Sequence, residues 1–191
     1  MARLPDPTDK LKGADLELFE HMASVRSHAD GRPQLGSVYV YMFNNPGVTA
    51  KVSALGEYLR FHATLPDDVR ELAILRFSVD QGFEYEWAHH QRPAALAGLD
   101  EDVLAAVTAG APSNDPALEG LRSEQRATLD AIDAVCGGRS IPGDVQDVLV
   151  EAFGEGGPVE LVALCGLYST MGYMTTAFDI AVEDGFPRWE R

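Results

Sequence analysis

Apolar residues recur along most of the chain at the three- and four-residue spacing of amphipathic helices, not at the two-residue alternation of half-buried strands. Leu16, Phe19, Met22 and Ala23 predict a helix over Asp15 to about Arg26, stopping before Gly31-Arg32-Pro33. Asn44-Asn45-Pro46-Gly47 reads as a turn, after which Val52, Leu55 and Leu59 place a helix on Val48 to about His62. Pro66, Asp67 and Asp68 suit a helix start, where proline loses no bond and carboxylates meet the positive end of the dipole. The helix that follows, to about Asp80, is apolar on more than one face (Val69, Leu72, Ala73, Ile74, Leu75, Phe77, Val79), which predicts a deep position. Gly82 ends it. Glu84 to Ala97 comes next, interrupted by Pro93 and closed by Gly98 as a left-handed cap. Asp100 can cap the following helix, with Leu99 and Leu104 as its hydrophobic staple.

Residues 110–116, GAPSNDP, form a polar linker that reads as a loop within one domain. Beyond it, Leu129, Ile132, Val135 and Cys136 predict a helix from about Ser123 to Gly137-Gly138, and a short one spans Pro142 to Phe153. The last runs from Pro158 to about Val182, with Gly166 and Gly172 inside it as places where another helix can approach closely. Leu161 to Phe178 carries no charge, which is near the length of a membrane span. Its hydroxyl content, its acidic flanks (Glu160, Asp179, Glu183, Asp184) and the lack of Lys or Arg anchors favour a buried core helix instead. Only Ser37 to Phe43, SVYVYMF, looks strand-like, and no second strand exists to pair with it. The expectation is an all-α, single-domain helical bundle over residues 1–191.

Composition narrows the function classes. Hydrophobic residues make up 46% of the 191 and charged residues 24%, as in soluble globular domains. Thirty acidic against fifteen basic residues give a net charge of -15, a field that repels nucleic acid and anionic lipid. Two cysteines, Cys136 and Cys165, make no disulfide framework or zinc spacing, and the first residues, with Pro5, Asp6 and Pro7, lack a secretory apolar run. A cytoplasmic location is expected, with neither nucleic acid nor membrane as partner.

The chemistry concentrates in Glu71 and in residues 84–90, EYEWAHH. Glu71 shares a stripe with Ile74, Leu75 and Ser78, so a carboxylate enters apolar surroundings, where, unpaired, it would have the raised pKa of a general acid or base. Glu86 and His90 are one helical turn apart on one face, with His89 about 100° around. Pro93 cannot bond the carbonyl of His89, which predicts a kink. Glu86-x-x-His89 is half of a di-iron pattern, but His21, His28 and His62 follow Leu18, Val25 and Leu59, so no second half exists. Adjacent His89 and His90 point apart, which makes a zinc site with Glu86 strained. No metal and no cofactor are expected. From the residues alone, Glu71 also fits a structural carboxylate held by Arg70 or Arg76, and His90 a hydrogen-bonded core histidine.

The segment from Pro66 to Val107 resembles the core of the carboxymuconolactone decarboxylase and alkylhydroperoxidase-type superfamily. The resemblance rests on Arg70-Glu71-Leu72-Ala73-Ile74-Leu75, then Tyr85-Glu86-Trp87 and His90, then Ala97-Gly98-Leu99 before a capped helix. It implies an all-α fold associating through its helices, usually as trimers or hexamers. Peroxidase members of the superfamily carry Cys-x-x-Cys where this chain has Phe83 and Glu86, while Glu71 and His90 stand at the proton-relay positions. Thiol peroxidase chemistry needs both cysteines. The resemblance therefore implies a carboxymuconolactone decarboxylase-like lyase, doing cofactor-free acid–base chemistry on a small lactone, keto acid or related organic acid. Glu71 would shuttle a proton, and His90 and Glu86 would orient the substrate or stabilise an enolate. Tyr85, Trp87, His89 and Arg76 are the substrate-contacting candidates, and Arg70, Arg76 and Arg92 are cations for a substrate carboxylate. The alternatives are a non-catalytic oligomeric module of the same fold that binds a ligand or partner, and residual peroxidase activity through Cys136 or Cys165.

Overall fold

Turn chemistry sets the borders of the helices. The computed structural model describes residues 2–25 and 35–189, and these form nine α-helices and two single 3₁₀ turns with no strand. In chain order the helices are α1 (Ala14–Val25), α2 (Ser37–Met42), α3 (Pro46–Phe61), α4 (Asp67–Gln81), α5 (Glu84–Leu96), α6 (Glu101–Thr108), α7 (Ser123–Cys136), α8 (Gly143–Phe153) and α9 (Gly156–Ala177). At the start of α3 the Asn45 side chain accepts a bond from the Val48 N–H at 3.1 Å, so the helix begins two residues earlier than its apolar stripe. Between α4 and α5, Gly82 at φ +73° lets the chain reverse within two residues. That short reversal makes the pair antiparallel neighbours.

Helix α4 is the centre of the bundle, packed against α5, α6, α7 and α9. Every residue from Val69 to Ser78 is buried, charged ones included. The charges enter with partners: the Arg76 guanidinium meets the Asp133 carboxylate of α7 at 2.5 and 2.7 Å and donates to the Ala111 carbonyl at 2.8 Å. Arg70 donates to the Arg60 carbonyl at 3.2 Å and pairs with Asp67 at 3.0 Å. A single chain covers α4 from Val69 to Ser78. The 110–116 loop is tied down as part of the same domain, with the Ser113 hydroxyl donating to Asp130 at 2.5 Å.

Four sequence expectations need correcting. The strand-like run is helix α2: without a partner strand its backbone could only be satisfied internally, and helical winding puts Val38 and Met42, one turn apart, into the core. Helix α9 ends at Ala177 and not near Val182; Asp179 takes a left-handed φ of 52°, and Ile180 and Val182 are buried in a non-helical tail. Asp100 stands at the N-cap of α6 but its side chain makes no capping bond. Pro93 lies within α5 without interrupting it. The expected stop at Gly31-Arg32-Pro33 lies outside the described residues. No described helix is long and apolar enough to cross a membrane.

The two glycines of α9 differ. A Cβ at Gly172 would overlap the Phe83 ring, whereas one at Gly166 would meet nothing within 4 Å. Gly172→Ala should therefore cost about 1–3 kcal/mol through overpacking, read as a fall of several degrees in melting temperature. An unchanged melting temperature would mean that Phe83 does not pack there.

Candidate active site

Helices α3, α4, α5 and α9 and the tail after α9 enclose a cavity of about 650 Å³. Glu71, from the middle of α4, and His90, from the second turn of α5, meet across the Gly82 reversal: His90 Nδ1 is 2.6 Å from Glu71 Oε2. The other ring nitrogen, Nε2, is 3.1 Å from the Tyr168 hydroxyl on α9, and the two rings meet edge to face at 5.1 Å. All three residues line the cavity. Arg70 adds a longer bond to Glu71 Oε1 at 3.4 Å.

The electrostatics overturn one expectation. Burial pushes the Glu71 carboxyl up, but the His90 ring, Arg70 and Arg60 together outweigh it and hold it below the ordinary value. Glu71 is ionised at neutral pH, so it orients the imidazole, and His90 is the group placed to exchange a proton. With Nδ1–H donated to Glu71, Nε2 has its lone pair toward Tyr168. Burial and the Glu71 charge raise the Tyr168 phenol well above its usual value, so it remains an O–H donor.

A second group of bonds forms the opposite wall. Glu183, from the tail, accepts from the Ser37 N–H at 2.7 Å and the Tyr85 hydroxyl at 2.8 Å, and lies 2.7 Å from His89 Nε2. Burial raises the Glu183 carboxyl, but these donors prevail and take it far below the carboxylate range. The His89 ring is stacked between Tyr85 at 4.3 Å and Phe186 at 4.0 Å. Farther along, the Trp189 ring stacks on Trp87 at 5.5 Å, and the Trp189 backbone N–H donates to Glu84 at 3.2 Å. Between the two walls lies Glu86, 3% exposed, with Oε1 lacking any hydrogen-bond partner among the described residues.

Of the residues singled out from the sequence, Glu71, Tyr85, Glu86, His89 and His90 line the cavity. Both histidines do so, one on each wall, since their 100° separation straddles the cavity. Arg76 and Trp87 do not. Arg76, five residues after Glu71, points away from it to Asp133, and the Trp87 indole donates to Thr108 on α6 at 3.0 Å. Sequence reasoning missed Tyr168, Arg60, Glu183 and Phe186. A phenol on a charge-free helix is the only trace of Tyr168 in the sequence, and Glu183 reads there only as an acidic flank of that helix.

No family model and no curated protein matches the chain. Among solved structures, the debrominase Bmp8 without ligand aligns with a TM-score of 0.71 at 16% identity, covering 91% of this chain and 90% of that one. A cysteine-to-alanine variant of Bmp8 in complex with 2,3,4-tribromopyrrole aligns at 0.70 and 15% identity, with the same coverage. A protein of unknown function from Agrobacterium tumefaciens, proposed to be the antioxidant defence protein AhpD, aligns at 0.62 and 20% identity over 75% of this chain and 95% of that one. The chain has the AhpD-like helical fold. The match to the AhpD-like structure stops at three quarters of this chain.

Docking of the tail has an intrinsic reporter, because Trp87 and Trp189 are the protein's two tryptophans. Glu183 is held below its unfolded pKa, so its contribution is present above about pH 4 and lost on further acidification. The near-ultraviolet circular dichroism of the tryptophan pair should hold down to about pH 4 and then fall, and Glu183→Gln should weaken it at neutral pH with helix content unchanged. A tryptophan signal identical in Glu183→Gln would show that Glu183 does not anchor the tail.

Proposed function

We propose that the protein is an enzyme that carries out cofactor-free acid–base chemistry on a small lactone, keto acid or related organic acid, and that it decarboxylates in the manner of carboxymuconolactone decarboxylase. The observation that carries this reading is the Glu71–His90–Tyr168 chain opening onto the cavity. Loss of carbon dioxide breaks a carbon–carbon bond and leaves its electron pair as an enolate on the neighbouring carbonyl. The enolate carbon then takes a proton from the Tyr168 hydroxyl, and a proton from solvent returns to the phenolate through His90 Nε2, with Glu71 stabilising the transiently charged ring. Arg60 and Arg92, both exposed and both lining the cavity, supply the charge that holds a substrate carboxylate.

Thiol chemistry finds no support at this site. Cys136 and Cys165 lie outside the cavity, and burial pushes each thiol up to about 12. Bmp8 was captured with its tribromopyrrole as a cysteine variant, whereas this cavity has no cysteine in its wall.

We also propose a homo-oligomer in the cytoplasm. Both cysteines are unpaired, which suits a reducing compartment. Along α9, Val159 (68% exposed), Val162, Gly166 and Tyr173 share one outward face, and the space over Gly166 admits a helix that the described residues do not supply. Light scattering should give a multiple of 20.7 kDa, reduced to the monomer by Val162→Glu with helical circular dichroism retained. A wild-type monomer at micromolar concentration contradicts the assembly.

Carbon dioxide release from a panel of γ-lactone carboxylates and β-keto acids tests the reaction. Glu71→Gln and His90→Asn should each lower turnover at least about 100-fold, and the double variant should be little worse than either, as for groups acting as one unit. No turnover across the panel, or additive losses, would remove the mechanism.

A further inference from the structure

Glu71 and Glu86 line the cavity and Glu183 stands behind its tail-side wall, and the three carboxyl groups are not alike. Glu71 has His90 and Arg70; Glu183 has Ser37, Tyr85 and His89. Glu86 has neither a cation nor a donor on Oε1. The donors next to it on α5 are committed elsewhere. On its own helix, His90 is committed to Glu71 and Tyr168, His89 to Glu183, and the Tyr85 hydroxyl to Glu183. The cavity wall also carries Asp67, Arg70 and Glu71 from α4, Arg60 from α3, Arg92 from α5, Tyr168 from α9 and Tyr39 from α2, with Glu183 of the tail behind it, and none of the three arginines pairs with Glu86 among the described residues. Helix α6 adds no titratable group to the cavity wall.

An ionised carboxylate so enclosed would be unsolvated and repelled by Glu183, so the proton stays on. We propose that Glu86 is a neutral carboxylic acid whose O–H is donated, inside the cavity, to the carbonyl oxygen of an anionic keto compound. The acid form is what burial and the Glu183 charge favour, since together they push the Glu86 carboxyl up to about 8. A buried O–H needs an acceptor, and a carbonyl or enolate oxygen is the acceptor that the cavity's own groups do not provide.

The anionic part of the ligand follows from the cavity's arginines. Arg70 is held by Asp67, Glu71 and the Arg60 carbonyl. Arg60 and Arg92 have no carboxylate within ion-pair distance among the described residues, and both line the cavity while exposed to solvent. In a chain of net charge -15, two uncommitted cations on one cavity select a carboxylate at its rim. Rim carboxylate and inner carbonyl together define the ligand class. This deepens the decarboxylase reading, because the same O–H bond strengthens as charge develops on the carbonyl oxygen, but its binding part stands without catalysis.

The probes are 4-oxopentanoate and pentanoate, which differ in one ketone. Calorimetry should show 4-oxopentanoate binding more tightly at pH 7, with an affinity that is flat up to about pH 8 and falls about tenfold per pH unit above it. Pentanoate should show no such step. Glu86→Gln, which keeps an N–H donor, should keep the ketone preference and lose the step; Glu86→Leu should lose both. Without ligand, the infrared spectrum at pH 7 should contain a carboxylic-acid C=O band that disappears in Glu86→Gln. Absence of that band, a ketone preference surviving in Glu86→Leu, or failure of both probes to bind would overturn the proposal. A pH step without carbon dioxide release would remove only the decarboxylase reading, and release without the step would remove only this one.

Discussion

The arrangement depends on one buried charge. Glu71 stands on the most enclosed helix of the bundle, where water cannot solvate a carboxylate, so its ionisation requires opposite charge supplied by the protein. Arg70 supplies it, and His90 Nδ1 adds a hydrogen bond to the ionised form. That requirement, with the two-residue reversal at Gly82, sets how α4 lies against α5 and turns the imidazole so that its second nitrogen reaches Tyr168. The same α4 carries Arg76 into the interior with its own partner on α7, so the central helix is held by paired charges on two sides.

Glu71 and Glu86 in the cavity wall and Glu183 behind it are three carboxyl groups in three electrostatic situations. Glu71 is paired and ionised, Glu183 is saturated with donors, and Glu86 is enclosed without a partner. Environments that push like groups apart in pKa are how one site holds a base and an acid at the same pH. The tail takes part in this division, because Glu183 bonds His89 and its charge adds to the burial that pushes the Glu86 carboxyl up.

The Glu71–His90 contact was legible because both residues lie on strongly patterned helices joined by a glycine-marked turn, which leaves little freedom of register. Its electrostatic sign was not. A buried carboxylate read by itself has a raised pKa, and only the structure shows the imidazole 2.6 Å away that reverses the direction. Tyr168 is 78 residues from His90, and nothing in a local pattern selects one phenol on a long helix. Arg76 was misplaced for the converse reason: a cation near Glu71 in sequence was taken as near the site, while its partner Asp133 is on another helix. Ser37 to Met42 shows tertiary context overriding β-like composition, since a lone strand has no ladder to join.

The most direct test of the account is the ¹⁵N NMR spectrum of the His90 ring in its neutral form. The geometry requires the proton on Nδ1, held by Glu71, and a bare Nε2 accepting from Tyr168. Selective labelling should show that single tautomer, with the Nε2 resonance moving in Tyr168→Phe and the preference for Nδ1–H lost in Glu71→Gln. A proton on Nε2, or the mixture of tautomers seen for a free imidazole, would mean that Glu71 does not orient His90, and the proton relay would have no basis.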